Sequence, residues 1–224
     1  MCGRFAMIAE PSFIEEALDP ENPEVLKDVD LRYNVAPGSS ILTAVQGHSK
    51  IRAGFMKWGL VPFWAKDTSI GYKMINARSE TADEKPSFRN LMRKRRCLIP
   101  VSGFYEWKKE NGRKQPYYIH PSSEDLFVFA GLWDRWEKNG QTLHTCTILT
   151  TGANSLMEAV HHRMPVILGR EGRERWINPS VTEPDDLKDL LIPCTSNQMH
   201  MHRVSTVVNN AANEGPECIV KADG

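Results

Sequence analysis

No run of apolar residues in this 224-residue chain approaches the roughly 20 that a membrane-spanning helix requires. The opening residues, Met1-Cys2-Gly3-Arg4-Phe5, lack the basic-then-apolar order of a secretory signal. Both absences point to an intracellular protein, in the cytoplasm or nucleoid if bacterial, with no membrane partner. Low-complexity tracts, internal repeats and long flexible linkers are also missing, so residues 1–224 are expected to form one domain. Cysteine is sparse: Cys2, Cys97, Cys146, Cys194 and Cys218 are an odd number, widely spaced, with no C-x-x-C pair. That pattern argues against a disulfide framework and against a zinc site. Cys97 and Cys146 lie in apolar, strand-like runs and read as buried filler.

An excess of charge of either sign is lacking too, since the formal net charge is zero. Its distribution is uneven. Residues 31–118 contain 17 Lys/Arg against 6 Asp/Glu, a local balance of +11 that the remainder cancels. The densest part is Arg89, Arg93, Lys94, Arg95 and Arg96, followed by Lys108, Lys109, Arg113 and Lys114. One such cluster could be a solvated helix face, but separation on this scale favours a positive groove for a polyanion.

What is present reads as α+β, an antiparallel β-rich, barrel-like core with short helices around it. Phe13, Ile14, Ala17 and Leu18 follow Pro11-Ser12 with helical spacing. Asp19 to Asp30, acidic and interrupted by Pro20 and Pro23, is expected to be a surface loop. Residues 41–46 and 51–58 form a hairpin pattern around Gly47-His48. Residues 87–96 look helical, with Phe88, Leu91 and Met92 inward and the Arg and Lys side chains outward. Strands are expected over 97–101, 103–108, 115–120, 126–136 and 142–151, with Asn111-Gly112 and Asn139-Gly140 as hairpin turns. Short helices over 154–160, 171–177 and 183–191 and a returning strand over 202–208 complete the pattern.

Five groups of residues could carry chemistry. Removal of Met1 would leave Cys2 with a free α-amine beside its thiol. An α-amine has an ordinary pKa of about 7.7–8.0, so near neutrality part of it is unprotonated and can attack an aldehyde. The thiol could then add to the same carbon and close a thiazolidine, and Gly3 permits close backbone approach. In Met74-Ile75-Asn76-Ala77-Arg78-Ser79-Glu80, Asn76 and Arg78 share a face if the segment is extended. The amide could fix a substrate atom and the guanidinium clamp a phosphate. Glu106 stands among aromatics in Gly103-Phe104-Tyr105-Glu106-Trp107; burial there would raise its pKa as a general acid–base requires, although a half-solvated strand would leave it exposed. His161-His162 is a proton shuttle more readily than a metal site, because no Cys/His/Asp set completes a coordination sphere. Adjacent side chains usually point apart, so only one of the two should reach the site. Finally, Arg32-Tyr33-Asn34-Val35-Ala36-Pro37-Gly38 reads as a polar turn, and Pro62-Phe63-Trp64 places aromatics beside the basic segment, as single-strand binding uses, with core packing the alternative for Trp64.

Taken together these segments resemble the SRAP family (SOS response-associated peptidase), which includes sensors of abasic DNA that act through an N-terminal cysteine. The match runs in order through Met1-Cys2-Gly3-Arg4-Phe5, Arg32 to Gly38, Trp58-Gly59-Leu60-Val61-Pro62, Ile75 to Thr81, Gly103 to Trp107 and His161-His162-Arg163-Met164-Pro165. The resemblance implies that Cys2 is the crosslinking nucleophile and that Asn76, Glu106 and His161 position the aldehyde and move protons. It implies DNA or active-site contacts for Arg4, Asn34, Trp64, Arg78 and Arg163. The histidine it implicates is the first of the pair, so His162 is not included. The partner is single-stranded DNA containing abasic sites, with no cofactor and no metal, and the chain is expected to act as a monomer. An imine that failed to close its ring would permit β-elimination, a weak lyase activity; the family's proposed self-cleavage would be unnecessary with only Met1 before Cys2.

Two other readings stay open on the residues. Met-Cys-Gly also begins N-terminal-nucleophile hydrolases and amidotransferases, in which the thiol attacks an amide. A non-covalent single-stranded DNA-binding module would explain the basic segment without using Cys2, Glu106 or His161.

Overall fold

In the computed structural model, residues 2–110, 112–123 and 126–222 are described. The central element is a ring of hydrogen-bonded strands. β1 (Phe5–Met7), α1 (Pro11–Leu18) and β2 (Arg32–Val35) lead into β3 (Ser40–Gln46) and β4 (Ile51–Trp58). β5 (Asn76–Arg78) and α2 (Arg89–Lys94) precede β6 (Arg96–Val101), β7 (Gly103–Glu110), β8 (Arg113–Pro121), β9 (Phe127–Lys138) and β10 (Gln141–Gly152). β11 (Arg163–Pro165), α3 (Arg170–Ile177) and β12 (Met199–Arg203) complete the chain.

The order β10-β4-β3-β6-β9 closes on itself because β9 also pairs with β10, giving a five-stranded barrel. Its neighbours are antiparallel except β4 and β10, which run parallel. The β9–β10 hairpin turns at Asn139-Gly140, both at positive φ (52° and 75°), the left-handed pair that matches the twist of flanking strands. Wall residues such as Leu98, Phe129, Ala130 and Ile148 are fully buried, so both faces of these strands are covered. Every residue of β6 is buried, because α3 covers its outer face and the Trp176 indole donates to the Cys97 carbonyl at 3.0 Å. Gly131 faces this crowding, and a Cβ there would lie 2.8 Å from the Cys97 sulfur. All five cysteines are free, and Cys97 and Cys146 are buried filler as expected.

A second antiparallel sheet, β12-β8-β7-β1-β2, leans on the barrel. Phe104 meets Phe129 edge-on at 5.8 Å, and Phe5 packs 5.1 Å from Trp58. The expected α+β fold, β-rich and barrel-like with short peripheral helices, is therefore borne out.

Several local expectations are corrected. The acidic segment holds a 3-10 turn over Pro23–Asp28 whose Leu26 is buried, so it is anchored rather than a bare loop. Arg32–Val35 is a strand and not a turn, its pairing with β1 outweighing its polar composition. Residues 154–160 and 183–191 contain only 3-10 helices, over Met157–Ala159 and Pro184–Leu190. The returning strand starts earlier, at Met199, and residues 206–209 turn because the Ser205 hydroxyl caps Val207 N–H at 3.2 Å. Arg96 does not point outward. It is buried, and its guanidinium donates to five backbone carbonyls, those of Met92, Arg93, Trp176, Asn178 and Val181. Of the two hairpin turns read from sequence, Asn111 lies outside the described residues; Gly112 has φ +79°.

Candidate active site

The N-terminal strand lies between β7 and β2, and Tyr105 N–H donates to the Arg4 carbonyl at 2.9 Å. Continuing that antiparallel register carries Cys2 alongside the residues after Tyr105. Cys2 is fully buried, and burial raises its thiol pKa, with the Glu106 charge adding to the effect. Asn76, the first residue of β5, donates its amide to the Cys2 carbonyl at 2.7 Å. β5 is held in place by parallel pairing with β10, where Asn76 faces Ile148. Asn76 Oδ1 is buried without a hydrogen-bond partner among the described residues.

Glu106 sits on β7 at 3% exposure, and burial raises its carboxyl pKa. The buried alternative of the two sequence readings is therefore the one realised. His161 lies between β10 and β11, where Arg163 N–H donates to its Nδ1 at 3.0 Å. An Nδ1 that accepts leaves the hydrogen of the neutral ring on Nε2, so the imidazole can offer a donor there. Burial lowers its pKa and favours that neutral form. His161 and His162 do not point apart: their rings stack at 4.4 Å and 20°, because the chain between the 3-10 turn and β11 is bent rather than extended. Only His161 reaches the cleft, which has a volume of about 430 Å³ and is lined by Glu106, Trp107, Lys114, His161 and Asn209. Burial pushes the carboxylic acid up and the imidazole down, which brings their proton affinities closer together within one cleft. A larger cleft of about 540 Å³ beside α1 is lined by none of the candidate catalytic or DNA-binding residues, so chemistry favours the smaller one.

The remaining residues fall into two groups. Arg4 and Asn34 bind one another at 2.7 Å and clasp the C-terminal segment. Asn34, fully buried, donates to the carbonyls of Val208, Asn210 and Asn213, and Glu214 accepts from Asn34 N–H and Arg32. This bracket fixes Arg4, in the segment that leads from Cys2 into β1. Arg163 is also buried, its guanidinium gripping both oxygens of Glu80 at 2.5 and 2.9 Å and Thr150 Oγ1 at 3.1 Å. Arg78 and Trp64, by contrast, are exposed, Trp64 at 51% beside Phe63 at 65%. Among the described residues Arg78 makes no ion pair. The aromatic loop is shaped by Gly59, whose φ of +125° and position against the Gly71 carbonyl exclude any Cβ. Sequence reasoning missed Trp107, Lys114 and Asn209 as cleft residues; Asn209 carried no motif signal and lay just past the strand expected over 202–208. Among the described residues no group of three His, Cys, Asp or Glu could hold a metal ion, and no helix is long and apolar enough to cross a membrane.

Fold and site together define a closed-barrel protein in which a buried cysteine near the N-terminus lies in the field of Glu106, and Glu106 and His161 line one cleft. The family described as SOS response associated peptidase (SRAP) matches residues 1–211, and the chain belongs to it. It is 47% identical over 221 residues to the abasic site processing protein YoqW of Bacillus subtilis (strain 168), covering 98% of this chain and 99% of that one. Identity to the abasic site processing protein HMCES of Gallus gallus is 37% over 190 residues, covering 74% of this chain and 56% of the relative. A crystal structure of a protein from Bacteroides thetaiotaomicron superposes with a TM-score of 0.86 at 30% identity, covering 99% and 100% of the two chains.

Proposed function

We propose that this protein processes abasic sites in single-stranded DNA, capturing the open-chain sugar as a thiazolidine on Cys2 once Met1 is removed. The observation that carries the proposal is the convergence of Cys2, Asn76, Glu106 and His161 from two strands, β5 and β7, and the segments that precede β1 and β11. Relatives at 47% and 37% identity named as abasic site processing proteins support the substrate.

The Cys2 amine adds to the aldehyde carbon to give a carbinolamine, and loss of its hydroxyl as water leaves an imine. Glu106, which burial makes a weaker acid, supplies the proton for that departure. The thiol then adds to the imine carbon, its proton passing through the Glu106 carboxylate to the nitrogen. One C–N and one C–S bond form, one water is released, and no oxidant is needed. His161 donates from Nε2 to the sugar oxygen, and Asn76 holds the Cys2 carbonyl while its Oδ1 accepts from the amine. Arg78 and Trp64 meet the DNA as phosphate clamp and stacking platform. Arg163 braces the His161 turn through Glu80, and Arg4 with Asn34 holds the segment that follows Cys2. Ring closure shields the site from cleavage; an imine left open would allow β-elimination.

The hydrolase reading is disfavoured because it leaves the positive balance of residues 31–118 without a role and because the relatives reported above are named as abasic site processing proteins. The test is incubation with single-stranded DNA carrying one abasic site, followed by a denaturing gel and intact mass measurement. Wild type should give a shifted band and a mass lacking Met1, and Cys2→Ala should give no band. A band that survives Cys2→Ala would refute the proposal.

A further inference from the structure

Nothing in the reaction so far uses Lys114 or Asn209, although both line the same cleft as Glu106 and His161. Lys114 lies directly opposite Lys109 across the β7–β8 hairpin. Like charges opposite one another destabilise a strand pair unless an anion offsets them. Neither lysine makes an ion pair among the described residues; the nearby Glu110 is engaged by Lys108 and Arg203 instead. Asn209 is oriented by its neighbour. The Trp107 indole N–H donates to Asn209 Oδ1 at 2.7 Å. Because an indole nitrogen can only donate, the Asn209 oxygen must face it, leaving the amide NH₂ as the group turned away. No hydrogen bond from that NH₂ occurs among the described residues. The wall of the cleft therefore carries one exposed cation and one oriented neutral donor.

We infer that Lys114 and Asn209 form a phosphate subsite, which takes one DNA phosphodiester flanking the abasic sugar. The inference rests on the reading of abasic DNA as substrate and adds where its backbone is gripped. Lys114 supplies a point charge that follows the phosphate, and Asn209 a directed hydrogen bond that sets the register of the sugar against Cys2. Trp107 acts as the positioning residue for Asn209.

The test uses single-stranded DNA with a tetrahydrofuran abasic analogue, which has no aldehyde and so reports binding alone. Lys114→Gln should weaken binding about threefold to tenfold at low salt and reduce the slope of log affinity against log salt by about 0.7, the loss of one phosphate contact. Lys50→Gln, a lysine paired with Asp19 on the far β3–β4 hairpin, should leave both unchanged. Asn209→Asp keeps the acceptor for Trp107 but sets a negative charge against the phosphate, so it should weaken binding more than Asn209→Ala. A neutral methylphosphonate is placed in turn on each side of the analogue. One position should weaken wild type and cost Lys114→Gln nothing further. Wild-type affinity and slope in Lys114→Gln, or an undiminished methylphosphonate penalty in that variant, would overturn the subsite while leaving abasic capture standing. Failure of the wild type itself to bind this DNA, or to crosslink true abasic DNA, would overturn the substrate reading and the subsite with it.

Discussion

Replacing Asn76 by alanine removes the hydrogen bond that places the nucleophile, together with the Oδ1 acceptor proposed for its amine. The Asn76 amide donates to the Cys2 carbonyl at 2.7 Å, in a part of the molecule where Cys2 is fully buried. Such a bond contributes about 1 kcal/mol net, and leaving the carbonyl without a partner in a dry environment costs about 1–3 kcal/mol. Expressed as loss of correctly placed Cys2, this corresponds to roughly fivefold to 150-fold slower imine formation. The assay is single-turnover crosslinking with saturating abasic single-stranded DNA, quenched over time and resolved on denaturing gels. Affinity for the tetrahydrofuran analogue should be nearly unchanged, because Asn76 holds the protein's own backbone. The melting temperature should fall by only about 2–4 °C per kcal/mol in a chain of this size. Asn76→Asp, which keeps the shape but loses the donor, should be at least as slow as Asn76→Ala. A folded Asn76→Ala variant that crosslinks within about twofold of wild type would refute the argument that this bond positions Cys2.

Glu106→Gln should slow crosslinking by about 100-fold or more, the usual cost of losing a general acid–base group. Its effect on stability has the opposite sign. Burial raises the Glu106 pKa above its unfolded value, so the wild type loses stability as pH rises from the ordinary carboxylate range through that raised value. Melting curves should show Glu106→Gln gaining on wild type at neutral pH and the gain vanishing near pH 4; a variant less stable at neutral pH would contradict this. Arg96→Met strips five backbone carbonyls of their donor, two of them in fully buried bonds, and should cost about 2–5 kcal/mol, since each buried carbonyl left unsatisfied costs about 1–3 kcal/mol. A melting temperature equal to wild type would show that Arg96 is dispensable. Trp64→Ala should weaken non-covalent binding of single-stranded DNA by about 1–3 kcal/mol, seen by fluorescence anisotropy, with its melting temperature almost unaffected because the ring is half-exposed.

Periodicity alone was enough to locate α1, the β3–β4 hairpin and the run of strands from β6 to β10, because long strands and turn residues such as Asn139-Gly140 encode their conformation locally. Cys2, Asn76, Glu106 and His161 were likewise legible as types of residue in unusual company. Tertiary structure decided the rest. β1, β5 and β11 are three residues long, too short for any period, and exist only because neighbouring strands satisfy their backbone groups. Arg96 reads as one more surface cation in a basic run, yet chain termini of α2 and α3 converge on it and turn it inward. Glu106 could have faced water or core, a choice made by what lies across the sheet and not by its own strand. Asn209 has no local signal at all, since its orientation depends on an indole a hundred residues away in sequence. Local sequence specifies conformation over a few residues; burial, charge pairing and proton affinity depend on neighbours that only the closed barrel brings together.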